Sequence, residues 1–175
     1  MNIYAINEAN YKRAISWSKN ADTRASIVLA FNAALVALLV TDNPYTHGFV
    51  ESFHERREVF LTSLLGVSLF WCFLIFFTVS SFFAFRVLML NARKTRCEHN
   101  RAFSFMNITD MTREEYRATL LKMSDSEILH ALQDQTYLAA QLARKKVTLL
   151  LWAWIFLAGT IFSAVAFIVL TIFFV

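Results

Sequence analysis

Two stretches of this chain run on without a single charged side chain, residues 59–85 for 27 residues and residues 147–175 for 29. About 20 apolar residues at 1.5 Å each cross a hydrocarbon core of about 30 Å, so both stretches are expected to span a bilayer. Residues 25–40 form a third run of 16 residues, about 24 Å of helix, interrupted by Asn32. It too is read as a span. Small residues recur along it at four-residue spacing, Ser26, Ala30 and Ala34 on one line and Ala33 and Ala37 on another. Such lines let helices approach closely in lipid, and this face is expected to pack on the other two spans with Asn32 hidden among them.

Composition leaves helices as the building element. The 175 residues include 18 Phe but only 3 Gly and 1 Pro, too few for tight-turned sheets or flexible linkers. The 57% hydrophobic fraction lies above, and the 17% charged fraction below, the roughly 45–50% and 25% of soluble domains. High aromatic content and low charge also exclude disorder. The expected fold is an all-α membrane protein with three transmembrane helices and a helical cytoplasmic region between the second and third. Its segments are an N-terminal helix (1–24), a first span (25–40), an outer loop (41–58), a second span (59–90), an inner helical region (91–146) and a third span (147–175). The first 24 residues are polar, and Thr41, Asp42, Asn43 and Pro44 follow the first apolar run. This is unlike a signal peptide, so that span is expected to be retained.

Basic residues set the orientation. Residues 1–24 carry Lys12, Arg13, Lys19 and Arg24, whereas residues 41–58 carry only Arg56 and Arg57 against Asp42, Glu51, Glu55 and Glu58. Residues 91–146 carry ten Lys or Arg against seven acids. The positive-inside rule then places the N-terminus and residues 91–146 in the cytoplasm, with Trp152 and Trp154 in an aromatic belt at the inner headgroups. Arg24, Arg86, Arg144, Lys145 and Lys146 all fall at that inner boundary. Two readings stand side by side: ordinary snorkelling, topology-setting cations, or a convergence on a small anion between the helices.

Two helix starts are written into the inner region. Thr112 with Glu115 and Ser124 with Glu127 each have the spacing at which hydroxyl and carboxylate satisfy free amides of a first helical turn. The second start leads, with no Gly or Pro, through Ile128, Leu132, Gln135, Ala139 and Leu142, one helical stripe that can run straight into the third span. Residues 4–19 also read as helix and extend the first span inward.

Catalytic signatures are missing: no Gly-rich phosphate loop, G-x-S-x-G, H-E-x-x-H or paired-Cys motif occurs, and enzyme is the least favoured class. Cys72 and Cys97 are expected at different depths as free thiols. Cys97, Glu98 and His99 look like metal ligands but lack a second half, and His47, Glu51 and His54 are better read as a solvated loop, so no metal is expected. Acidic residues interleave the inner cations, which argues against a nucleic-acid partner.

Trp17, Ala21, Asp22, Arg24, Ala25, Ser26, Leu29 and Asn32, followed by Phe105, Ile108, Glu115, Tyr116, Asp134, Gln135, Leu142 and Lys145, resemble the pattern of the Pycsar transmembrane effectors, a group of bacterial anti-phage proteins. The resemblance covers about residues 17–160, with residues 21–26 its most specific part. It implies a multi-pass protein of the bacterial inner membrane, activated by cyclic CMP or cyclic UMP from a partner pyrimidine nucleotide cyclase. It further implies a homo-oligomeric state that impairs the membrane and causes abortive infection. No resident cofactor is implied. The inner region would then sense the ligand. A cyclic mononucleotide needs a cation, carboxylate or amide partners and an apolar platform. Asp22, Arg24, Asp134, Gln135 and Lys145 are the candidates for the polar set, and Phe103 and Phe105 for the platform or for burial against the membrane surface. Asp22 has a second reading, as a helix cap or a partner of Arg24. The run Arg144, Lys145, Lys146 leaves the family's lysine open by one position. The alternative class is a small structural or accessory membrane protein whose inner helices dock a partner, without a nucleotide.

Overall fold

The computed structural model describes residues 3–40, 60–90 and 111–174. Of these, 96% are helical and none lies in a strand, as the all-α expectation requires. Four helices follow in order: α1 (Ile3–Val40), α2 (Phe60–Met89), α3 (Arg113–Lys122) and α4 (Asp125–Phe174). Three of them, α1, α2 and α4, are long and apolar enough to cross a membrane. The expected outer loop, with His47, Glu51 and His54, lies outside the described residues.

The chain divides into two compact units, Met1–Ala21 with Leu90–Val147, and Asp22–Met89 with Thr148–Val175. The first unit is polar and its helix starts are built locally. Thr112 N–H donates to Glu115 Oε2 at 2.9 Å while Glu115 N–H donates to Thr112 Oγ1 at 3.3 Å. Ser124 N–H reaches Glu127 Oε2 at 2.7 Å and Glu127 N–H reaches Ser124 Oγ at 3.4 Å. Both are the reciprocal capping boxes expected from the sequence. The Tyr4 hydroxyl donates to the Asp125 carbonyl at 2.9 Å, tying the first turn of α1 to the first turn of α4. On α1, Lys12 and Glu8 pair at 2.6 Å one turn apart on the exposed surface.

The second unit contains three spans. Its outside is apolar: Ile27 and Phe31 on α1, Phe70, Trp71, Ile75, Phe82 and Phe85 on α2, and Leu151, Ile155, Phe162, Val165 and Val169 on α4 are all exposed. Side chains of this kind, facing outward on every helix, need hydrocarbon around them. Its interior is made of small residues and hydrogen bonds. The buried line on α1 in this unit is Ala25, Val28 and Asn32, each at most 1% exposed. Asn32 is hidden as expected, but the predicted stripes are not the packing face: Ser26, Ala30, Ala33, Ala34 and Ala37 are exposed. One residue step turns a helix by 100°, and the line that carries Asn32 faces inward because its amide must be satisfied there.

Spans α2 and α4 meet through aromatic rings. Phe70 lies 6.3 Å from Phe167, Phe76 lies 6.2 Å from Phe156, and Phe83 stacks on Phe156 at 5.8 Å, all measured between ring centroids. Gly159 permits the approach. A Cβ built there would stand 3.1 Å from the Phe76 ring.

Two outcomes follow from this packing and capping. Gly159→Val overpacks the Phe76 contact and should destabilise the protein by about 1–3 kcal/mol, read as a lowered unfolding midpoint in mixed detergent. Hydrogen bonds from the backbone amides of Thr112 and Ser124 hold the Glu115 and Glu127 carboxyls below the usual carboxylate value of 4.5. A carboxyl with a lowered folded-state pKa stabilises above its ordinary pKa, and the contribution is lost as pH falls through the lowered value. Helicity measured by circular dichroism should therefore decline as pH drops below about 4.5, and Glu115→Gln with Glu127→Gln should remove that acid-sensitive share.

Candidate functional site

The sequence-derived ligand residues fall on two helices. Asp22 and Arg24 lie on α1 in the membrane unit, and Asp134, Gln135 and Lys145 lie on α4 in the polar unit. Asp22 is half-buried and Arg24 exposed. Because α1 runs unbroken from Ile3 to Val40, Asp22 is not the cap of a helix beginning there, which removes one of its two bland readings. Its carbonyl accepts a hydrogen bond from the Ser26 hydroxyl at 3.1 Å.

On α4 the candidates separate. Asp134 and Lys145 are both exposed and stand eleven residues apart, three turns and about 16 Å of rise along one face. They do not meet each other. Gln135 is half-buried on the predicted stripe, and eleven residues on from it, on the same face, stands Lys146. Lys146 is 3% exposed, whereas Arg144 and Lys145 are exposed. Among these three cations the structure encloses only Lys146, a distinction that a run of basic letters does not carry. The stripe through Leu142 continues to position 146 four residues later, which is the signal that was there to be read. Phe103, Phe105, Ile108 and Cys97 lie outside the described residues. Cys72 is an exposed free thiol on α2.

Within the membrane unit, hydrogen bonds fix the register. Asn32 Nδ2 donates to Ser80 Oγ at 3.2 Å and to Ser81 Oγ at 2.9 Å, and the Ser80 hydroxyl donates to the Ala153 carbonyl at 3.0 Å. One amide and one hydroxyl thus join all three spans. Ser80 spends its only hydrogen on Ala153, so it can only accept from Asn32, and this decides which end of the amide faces the serines. Arg24 stands eight residues before Asn32 on α1, and Arg86 six residues beyond Ser80 on α2. Arg86 sits in the last turn of α2, where the carbonyl ends favour a cation, and its guanidinium lies 5.9 Å from the Phe82 ring centre. A cation on an aromatic ring at a span end is the arrangement of a snorkelling side chain.

The chain matches the Pycsar effector protein domain over residues 7–174. It belongs to the Pycsar effector family. No curated protein and no solved structure matches it. Membership supports a role as a Pycsar anti-phage effector and implies a cyclic-nucleotide signal and a membrane context. The family is not one of known catalysts. Three apolar helices and this membership make the chain a multi-pass membrane protein.

Seen in the structure, the α1 signature of this Pycsar effector has two parts. Ala21, Ala25 and Asn32 are buried and serve the packing of α1, while Trp17, Arg24 and Ser26 are exposed. Glu115, from the second half of the pattern, caps α3. The burial contrast at the cation run can be checked by cysteine labelling in a background lacking Cys72 and Cys97. Lys145→Cys should react readily with a soluble maleimide and Lys146→Cys only slowly.

Proposed function

We propose that this Pycsar effector binds cyclic CMP or cyclic UMP on its cytoplasmic side and then impairs the integrity of the bacterial inner membrane, ending the infected cell before phage mature. A pyrimidine nucleotide cyclase supplies the signal, and the active form is a homo-oligomer. The N-terminus and the inner helical region face the cytoplasm, by the distribution of Lys and Arg. Asp22, Arg24, Asp134, Gln135 and Lys145 engage the nucleotide: the cations take the single negative charge of the cyclic phosphate, and the carboxylates and amide take the sugar hydroxyl and the polar edge of the base.

The observation that carries this reading is the family match over residues 7–174, nearly the whole chain. A structural feature supports the coupling step. Both α1 and α4 pass without a break from the polar unit into the membrane unit. A helix is stiff over such lengths, so a ligand that holds its polar part differently in two states also biases its apolar part. The bias is bounded: moving a population from 1:99 to 99:1 requires the nucleotide to bind the favoured state about 10⁴-fold more tightly, roughly 5.5 kcal/mol.

Cells making the protein and supplied with cyclic CMP or cyclic UMP should admit a membrane-impermeant dye with one of the two nucleotides. Arg24→Ala should reach the membrane in normal amount and lose that response. Dye exclusion with both nucleotides, with the wild-type protein verified in the membrane, contradicts the proposal.

A further inference from the structure

The interior of the membrane unit holds an acceptor with nothing to accept from. Asn32 is 1% exposed and gives both amide hydrogens to Ser80 and Ser81, while its Oδ1 is buried and receives no hydrogen bond among the described residues. Ser80 cannot supply one, because its hydrogen goes to Ala153. Asn32 is bonded to Ser80, which stands six residues, about 9 Å of helix, before Arg86 in the last turn of α2, so this oxygen lies within the apolar spans but short of their middle. In hydrocarbon an orphaned polar group costs several kcal/mol unless a donor reaches it.

More acceptors follow along α4. Thr160 and Ser163 are 0% and 2% exposed, and their hydroxyl hydrogens go to the carbonyls of Phe156 and Gly159 on their own helix, each at 2.9 Å. What remains to these oxygens is lone pairs. Thr160 stands two turns beyond Ala153 on the same face, and between them Leu157, 2% exposed, fills the position. The sequence of buried groups is therefore polar at Asn32 and Ser80, with Ser81 half-buried beside them, apolar at Leu157, and polar again at Thr160 and Ser163.

We propose that this interior is a closed path for water and small monovalent cations, with Asn32 Oδ1 as a binding site within the spans and Leu157 as the plug. The chemistry fits the class of ligand: lone pairs without hydrogens bind species that donate hydrogens or carry positive charge, and an apolar side chain across such a path blocks it by excluding water. This deepens the membrane-impairing reading above and rests on it, since a protein that opens this seam passes cations. The same residues also hold the spans together, so the test must move something that packing alone would not.

The test omits nucleotide, so that its failure and a failure of the nucleotide reading are distinguishable. The full chain is reconstituted in vesicles of phosphatidylethanolamine and phosphatidylglycerol loaded with potassium. Leu157→Ser should leak potassium without any nucleotide, and adding Asn32→Leu should return the leak to that of protein-free vesicles. Asn32→Asp in the Leu157→Ser background should instead shift the reversal potential further toward potassium. A tight Leu157→Ser protein, or a leak unchanged by Asn32→Leu, overturns the path. Should the serine variant not insert, water contact is read on the wild-type chain by solid-state NMR: the Asn32 side-chain amide should exchange magnetisation with water in the bilayer, and its isolation from water overturns the site.

Discussion

Polar groups inside hydrocarbon must find partners within the protein, and in this chain that requirement falls on one asparagine. The Asn32 amide and the Ser80 hydroxyl fasten three spans at a single level. Apolar residues cannot do this, because lipid tails satisfy them as well as another helix does. An individual interhelical hydrogen bond in a membrane contributes only about 0.6 kcal/mol on average, so the relay acts less by its strength than by setting which residues stand opposite each other. With that register fixed, Ala25 and Val28 are buried, and Gly159 meets the Phe76 ring where a Cβ would stand only 3.1 Å away.

The polar unit obeys a different rule. Its helices α3 and α4 begin with local satisfaction of their ends, supplied by the Thr112–Glu115 and Ser124–Glu127 boxes. What connects the two regimes is backbone continuity. The helix α4 contains 50 residues, about 75 Å of helix where a bilayer core asks for 30 Å. The same hydrogen-bonded ladder thus begins on polar residues and continues into the apolar run. The proposed effector role asks of such a helix a change in the distribution between states, which a ligand produces only by binding one state better than the other.

Much of this was legible in the sequence because the determining features are local. Uninterrupted apolar runs announce spans, and a Thr or Ser three residues before a Glu announces a helix start. The missing turn residues make the all-helical fold unavoidable. The packing face of α1 was not legible from spacing. Ser26, Ala30 and Ala34 have the right small side chains, yet they lie on the opposite side of the helix, roughly 170° from the line ending at Asn32, and small residues on both lines make them equivalent on paper. The decision came from Ser80 and Ser81, some fifty positions away, which no local pattern ties to Asn32. The cation run shows the same limit: Lys145 and Lys146 are identical in type, and only the phase of the stripe through Gln135 and Leu142 separates the exposed one from the buried one. Among the candidate ligand residues, helix and exposure are now placed for each, while their role toward a nucleotide rests on the family.

The central claim is that a cyclic pyrimidine mononucleotide is recognised by this chain itself. Calorimetric titration of the detergent-solubilised protein with cyclic UMP, cyclic CMP and cyclic AMP tests it most directly. Saturable heat with one pyrimidine nucleotide and none with cyclic AMP is the predicted result; the absence of saturable heat with both pyrimidine nucleotides, on protein shown to be folded by its helical content, would contradict it.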